Sequence, residues 1–221
     1  MEVKKSHIFQ KITPKGIWRT FDFRPESPFL AVKQIHGTKV ASSDQIDKNH
    51  QFNPPLQPTD ELSHQNMLEA DGLYALWDDW KKPLAIKTAD CLPILIEGEK
   101  GASLIHAGWR GLYKGILKKA EISSLKPRYA FIGPSIRQCC FEVTAEFKNY
   151  FPDISSSHFA TRKGKLFFHL QNEAIQQLKE KFPQIQVEDS LLCTYCHSNF
   201  HSYRKNQTIH RNWNLYDKKD S

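Results

Sequence analysis

The sequence predicts a single α+β (mixed α/β) domain, and three observations carry that reading. Short alternating or apolar runs of strand length recur from His7 to His169. Two stretches, after Arg110 and from Asn172 to Phe182, switch to the spacing of amphipathic helices. No internal repeat or linker divides the 221 residues, which suffice for one domain, 1–221, with a real core. A hydrophobic fraction of 39% with 12% aromatic residues marks a globular rather than a disordered chain.

Taken in order, His7-Ile-Phe-Gln-Lys-Ile12, Ile17-Trp-Arg-Thr-Phe-Asp-Phe23 and Phe29-Leu-Ala-Val-Lys-Gln-Ile35 alternate as strands, the last ending in His36-Gly37. From Ala41 to Met67 the chain is polar, holds Pro54, Pro55 and Pro58, and lacks periodicity, which predicts an exposed loop insertion over 41–67. Glu69-Ala-Asp-Gly72 reads as a turn, and Leu73-Tyr-Ala-Leu-Trp77 and Pro83-Leu-Ala-Ile-Lys87 as strands. Leu92-Pro-Ile-Leu-Ile96 and Ala102-Ser-Leu-Ile-His106 are apolar enough to be buried strands. Leu112, Ile116, Leu117 and Ala120 share one helical face. Tyr129-Ala-Phe-Ile-Gly133 is a strand ending at a sharp corner, Gly133-Pro134-Ser135. Thr144 to Tyr150 reads as a helix stopped by Pro152. Lys165-Leu-Phe-Phe-His169 reads as a strand, and residues 172–182 as the clearest helix, with Ala174, Ile175, Leu178 and Phe182 inward. The stretch beyond Arg204 reads as a polar tail.

Composition narrows the function. No run of about 18 apolar residues exists, and no apolar stretch follows the basic start, so neither a membrane partner nor a secretory leader is expected. Five cysteines, an odd number, argue against a disulfide framework and for a reducing, cytoplasmic setting. The net charge of +7 is scattered in pairs such as Lys118-Lys119. Such a surface suits phosphate-bearing small molecules better than nucleic acid.

The chemistry gathers at strand ends. Cys91 heads one apolar run, and His106 closes another before Gly108, Arg110 and Gly111. Neighbouring strands would set thiol and imidazole side by side, as ligands for zinc or copper or as a nucleophile and its base. His36, in a like strand-end setting, makes a three-ligand set of His36, Cys91 and His106 with a fourth position open. Arg110 at a helix start is a phosphate-binding candidate, and its alternative is a surface ion pair. The turn at Ser135 reads first as an ordinary strand-to-helix corner and second as a place for an anion. Cys193-x-x-Cys196-His197, with His201 beyond, has the look of a closed zinc site. It lacks a second spaced pair unless the vicinal Cys139-Cys140 supplies one. Packed, reduced thiols are therefore the expectation, with metal content unchanged when Cys193 and Cys196 are replaced.

Gln34-Ile-His-Gly37, Ala70-Asp-Gly72, Thr88-Ala-Asp-Cys-Leu-Pro93, His106-Ala-Gly-Trp-Arg-Gly111, Ile132-Gly-Pro-Ser-Ile136 and Cys139-Cys-Phe-Glu-Val143 occur in one order. In that order they resemble the bacterial laccase-domain family, also called YfiH-like or peptidoglycan-editing-factor proteins, over about residues 30 to 205. The family includes purine nucleoside phosphorylase/adenosine deaminase enzymes. The resemblance implies a four-layer α/β/β/α sandwich and a metal held by His36, Cys91 and His106. Where the family continues with an acidic or glycine turn and a Gly-Arg pair, this chain reads Lys205-Asn-Gln-Thr-Ile-His-Arg211. No substrate contact is carried over from that segment.

The name laccase implies multicopper oxidation of phenols, but ten histidines scattered singly do not supply a blue-copper centre plus an oxygen-reducing cluster. Zinc, with copper as the alternative ion, fits a single open site that lowers the pKa of bound water to give a hydroxide. The resemblance then implies deamination of adenosine, and phosphate-dependent cleavage of adenosine, inosine, guanosine and methylthioadenosine. Arg110 and Ser135 are the substrate-binding candidates, and Arg110 and Asp90 the catalytic ones, Asp90 as acid/base or as support for the ligands. The expected partners are a purine nucleoside and phosphate, with the chain a monomer or weak homodimer. Two rivals remain. One is a Cys91–His106 hydrolase, supported by a toxin deamidase domain that shares the fold. The other is editing of a peptidoglycan precursor.

Overall fold

The computed structural model describes residues 6–49, 67–151 and 156–219. Thirteen strands occur among these residues: β1 (Phe9–Ile12), β2 (Gly16–Phe21), β3 (Val40–Ser42), β4 (Gly72–Leu76), β5 (Leu84–Thr88), β6 (Leu92–Gly98), β7 (Gly101–Ala107), β8 (Pro127–Ile132), β9 (Glu142–Val143), β10 (Phe159–Arg162), β11 (Lys165–Phe168), β12 (Gln186–Asp189) and β13 (Asn212–Lys218). The α-helices are α1 (Ser43–Asn49), α2 (Trp109–Tyr113), α3 (Ala120–Ser124), α4 (Leu170–Lys181) and α5 (Tyr203–Asn206). The α+β reading holds.

The strands form a six-stranded sheet ordered β12-β8-β6-β7-β4-β3, a four-stranded sheet ordered β1-β2-β13-β5, and a small sheet ordered β10-β11-β9. Alternation along the central strands sorts their side chains between two cores. Leu92, Ile94, Ile96, Ile105, Ala130 and Ile132 face the helical side and pack with Leu112, Leu117, Ala174 and Leu178. Leu73, Leu95, Leu104 and Phe131 face the other way and meet Trp18, Leu84, Ile86 and Tyr216 of the four-stranded sheet. Fully burying each such side chain contributes about 1.5–3 kcal/mol, so β6 and β7, with every residue buried, give the site a rigid base. On the outer face of the four-stranded sheet Ala85, Trp213 and Leu215 pack with Phe21, Phe29 and Ala31. Phe29 and Ala31 of that cluster come from irregular chain.

Several local expectations are corrected. Residues 29–35 run extended but make only the isolated bridges Leu30 to Leu84 and Lys33 to Glu69. The predicted loop 41–67 begins instead as β3 and α1, anchored by the fully buried Ala41 and Ile46; its remainder to residue 66 lies outside the described residues. The helix expected after Arg110 breaks into α2, a 3₁₀ turn at Ile116–Lys118 and α3. Gly115 causes the break by adopting φ 75°, a left-handed conformation that glycine takes without steric cost. Ala145–Tyr150 is 3₁₀ rather than α.

The predicted polar tail is the largest correction, because it contains β13, which pairs with both β2 and β5 inside the four-stranded sheet. Its polar residues are satisfied internally. Asn214 accepts from Thr20 Oγ1 at 3.0 Å and donates to Thr88 Oγ1 at 3.1 Å. Tyr216 donates its hydroxyl to the buried Glu97 carboxylate at 2.6 Å, and Thr13 donates to the same oxygen. Removing a hydroxyl that donates to a buried charged group costs about 1.5–3 kcal/mol. Tyr216→Phe is expected to lower the urea-unfolding free energy by that amount without changing the slope, as read by Trp fluorescence.

Candidate metal centre

Antiparallel pairing of β6 with β7 sets Leu92 opposite Ala107 and Pro93 opposite His106. Cys91, just before β6, therefore meets the chain just after His106. At that crossing a Cβ on Gly108 would stand 3.1 Å from Cys91 Sγ and 3.5 Å from His36 Cδ2. Glycine there keeps the site open. The expectation that strand ends would bring thiol and imidazole together is met, and the irregular segment after Gln34 brings His36 to the same place. One ligand atom each from His36, Cys91 and His106 lies within 4.8 Å of the others. The rings of His36 and His106 stand edge to face with centroids 4.8 Å apart. His106 is buried, Cys91 half-buried and His36 exposed, so the cluster opens to solvent on the His36 side.

Asp71 organises this cluster, and the sequence reading passed over it as a turn residue. Its fully buried carboxylate accepts from His36 N–H at 2.8 Å, Gly37 N–H at 2.6 Å and Ile35 N–H at 3.3 Å. It also lies 2.9 Å from His106 Nδ1. The three backbone bonds hold His36 at its left-handed φ of 58°. In the neutral ring the fourth places the proton on Nδ1, so Nε2 has a lone pair to offer once an ion displaces the second proton, the carboxylate–histidine arrangement found behind metal ligands. A signal was present in Ala70-Asp-Gly72: an acid opposite His106 in the β4–β7 ladder, where Gly72 pairs with Ile105.

Electrostatics follow from these contacts. Burial pushes the Cys91 thiol up, but the charge of His106 and hydrogen bonds from His106 and His36 outweigh it and hold the thiol at about 6. Burial pushes His106 down, while the Cys91 thiolate and the Asp71 carboxylate retain its proton up to about 9. Burial likewise raises Asp71, and the His106 and backbone donors more than offset it, leaving this carboxyl below its ordinary value. A thiolate and two imidazoles, braced by a carboxylate and open on one side, suit zinc or copper.

The remaining candidates are placed differently. Asp90, at φ 94°, accepts from Thr194 Oγ1 and from Arg204 N–H, both at 2.7 Å, while its carbonyl accepts from Ile136 N–H at 2.9 Å. It ties the Cys91 turn to the C-terminal half of the chain. Arg110 is exposed and stacks its guanidinium on Trp109 at 4.7 Å. Among the described residues it makes no ion pair. It is the second residue of a five-residue helix, too short to add much of a dipole, so its pull on an anion rests on the guanidinium. Ser135 is fully buried, donates to Gly133 O at 3.3 Å and accepts from Gln171 Nε2 at 2.9 Å.

A second convergence was not expected. Cys139, Cys140, Cys193 and Cys196 come together, each offering a sulfur within 4.8 Å of the others. Neither histidine of the C-terminal motif joins them: His201 Nε2 lies 2.7 Å from Asp22 O, and His197 packs edge-on to Phe200.

Relatives share this frame. The chain is 40% identical over 134 residues to a purine nucleoside phosphorylase of Aquifex aeolicus, covering 58% of this chain and 62% of that protein. It is 33% identical to one of Borreliella burgdorferi, covering 63% and 65%. It is 32% identical to adenosine deaminase RL5 of an unknown prokaryotic organism, covering 55% and 52%. The chain thus spans less than two thirds of the length of each. In fold it is similar to the crystal structure of YlmD from Geobacillus stearothermophilus, at TM-score 0.71 and 24% identity over 87% of this chain and 74% of that one. The Bacillus licheniformis protein YfiH is similar at TM-score 0.69 and 24% identity, over 86% and 74%. A family model described as multi-copper polyphenol oxidoreductase laccase matches residues 15–215. With nearly the whole chain matched, this protein belongs to that family.

Proposed function

We propose that this protein is a zinc-dependent purine nucleoside enzyme that deaminates adenosine and cleaves purine nucleosides with phosphate. The convergence of His36, Cys91 and His106 on one solvent-facing point, with Asp71 behind them, carries this reading. The names of its relatives supply the substrate class. A zinc ion held by those three residues supplies Lewis-acid activation of water, which hydrolytic loss of the C6 amino group of adenosine needs. Asp71 holds His106 in the tautomer that presents Nε2 to the ion and fixes His36 through its backbone. Asp90 keeps the Cys91 turn in place through Thr194 and Arg204. Arg110, stacked on Trp109, binds phosphate through its planar fork.

Among the described residues one histidine-bearing group has metal-ligand spacing, which suits a single hydrolytic ion better than oxidation of phenols. The Cys91–His106 charge pair favours a second reading, a thiol hydrolase, in which His36 would only assist by its hydrogen bond to the thiol. The direct test compares adenosine, with and without phosphate, against a nucleotide-linked muropeptide precursor as substrates of the purified protein. Ammonia release and phosphate-dependent base release are expected from adenosine alone. Turnover confined to the muropeptide precursor defeats the reading.

Arg110→Lys separates the two activities, because it keeps the charge and loses the fork. Phosphorolysis is expected to fall about tenfold or more, with weaker apparent phosphate affinity, while deamination stays within about twofold. Equal loss of both activities at unchanged phosphate affinity, together with a lower melting temperature, would assign Arg110 to the architecture of the turn.

A further inference from the structure

We infer that Cys139, Cys140, Cys193 and Cys196 form a second metal site, a closed four-thiolate zinc site that staples two turns against the Asp90–Cys91 turn. All four are free cysteines. Cys140 Sγ lies 3.3 Å and Cys139 Sγ 3.7 Å from Cys196 Sγ, and all four sulfurs fall within 4.8 Å of one another. A tetrahedral ion with zinc–sulfur bonds of about 2.3 Å requires sulfur–sulfur edges of about 3.8 Å; the two short separations lie at or just under that length and the rest fall within 4.8 Å. A disulfide needs its two sulfurs at about 2.05 Å, far closer than the 3.3 and 3.7 Å seen here. Ordinary packing gives no reason for four sulfurs from two distant segments to converge.

This takes the alternative to packed, reduced thiols, with Cys139-Cys140 supplying the second pair. The turn at 137–140, closed by Cys140 N–H donating to Arg137 O at 2.8 Å, places both Cys139 and Cys140 beside Cys196. Arg162 secures that turn by donating to the carbonyls of Gln138 and Cys139 at 2.8 and 2.9 Å. The facing turn is closed by His197 N–H donating to Cys193 O at 3.1 Å, and Thr194 N–H donates to Ser135 O at 3.1 Å across the two. Four sulfur ligands and no nitrogen or water select zinc or iron among common ions; the absence of an open coordination position makes the role structural.

The two turns also hold the first site. Thr194, inside the Cys193–Cys196 loop, donates its hydroxyl to Asp90 at 2.7 Å, and Ile136, from the other segment, donates to the Asp90 carbonyl at 2.9 Å. Asp90 immediately precedes Cys91. A metal joining the turns therefore fixes the backbone that carries a ligand of the first site. The proposal does not rest on the nucleoside reading.

Elemental analysis of the full chain, purified under reducing conditions, tests it. Two zinc equivalents are expected in the wild type, one in His36→Ala, and one in the double variant Cys193→Ser, Cys196→Ser. Should the double variant not fold, a full chain carrying Cys91→Ser is stripped and loaded with cobalt(II). It is expected to take up one equivalent and show intense thiolate-to-cobalt charge-transfer bands of a tetrahedral four-sulfur site, with four thiols protected from a thiol reagent. A single equivalent in the wild type that survives the double change overturns the site. So does a Cys140–Cys196 disulfide in unreduced protein, or iron in place of zinc with its visible colour. Weak cobalt bands, without charge transfer, overturn it too.

Discussion

Cys91→Ser is expected to strip the His36–Cys91–His106 site of its metal and to lower adenosine turnover by about a hundredfold or more. The thiol sits where the buried His106 and the exposed His36 both face it, and their pull holds it at about 6, so at neutral pH the ligand is already a thiolate. A serine hydroxyl there stays protonated and is a poor partner for a borderline-soft ion. Metal content by elemental analysis and ammonia release by a coupled assay read the two effects. The same substitution would also disable a thiol hydrolase, so His36→Ala must accompany it. If the site is a metal centre, His36→Ala loses metal and activity together, and a chelator reproduces the loss in the wild type. If Cys91 and His106 act as nucleophile and base, the chelator does nothing and His36→Ala lowers activity only through its lost hydrogen bond to the thiol, with no metal to lose; the metal reading is then wrong.

The apposition of Cys91 and His106 was legible because β6 and β7 are apolar runs that start and stop at those residues, so burial fixes both the strands and the register. The Asp71 contribution was not. A short acid before a glycine reads as turn chemistry, and only the pairing of Gly72 with Ile105 shows that it stands beside His106. β13 was hidden for a related reason: Asn212 and Asn214 are buried, and a polar residue satisfied across strands looks, in sequence, like one in solvent. The helix after Arg110 carried most of the right apolar face, since Leu112, Ile116 and Leu117 are buried, but Ala120, beyond the break at Gly115 that periodicity cannot register, is exposed. The four-cysteine cluster joins segments that are distant in sequence, and local spacing says nothing about such a meeting. Helix α4 was read correctly in type because its buried Ala174 and Leu178 repeat at helical spacing within a single uninterrupted segment.

Asp71→Asn is expected to cost about 2–5 kcal/mol of stability and to weaken zinc binding about 10- to 100-fold. The substitution is nearly isosteric, so both effects come from hydrogen bonding. Asp71 Oδ2 accepts from the N–H groups of Ile35 and Gly37, while Oδ1 accepts from His36 N–H and faces His106 Nδ1. An asparagine must present its amide nitrogen to one of these pairs. Turned toward Ile35 and Gly37, it leaves two donors facing a donor in a fully buried pocket, each costing about 1–3 kcal/mol. Turned toward His36 and His106, it offers His106 Nδ1 a donor; the imidazole then carries its proton on Nε2 and loses the nitrogen that would bind the ion. Either way the left-handed turn at His36 loses the charge that holds it. Urea denaturation measures the first effect and competition with a zinc chelator of known affinity the second. A loss of stability with unchanged zinc affinity would reduce Asp71 to scaffolding. Wild-type values for both would remove it from the site altogether. Asp71→Glu sharpens the result, because it restores the charge but lengthens the side chain in a pocket that is fully filled. Recovery of zinc affinity by Glu without recovery of stability would show that charge behind His106, rather than the packing of the turn, tunes the metal ligand.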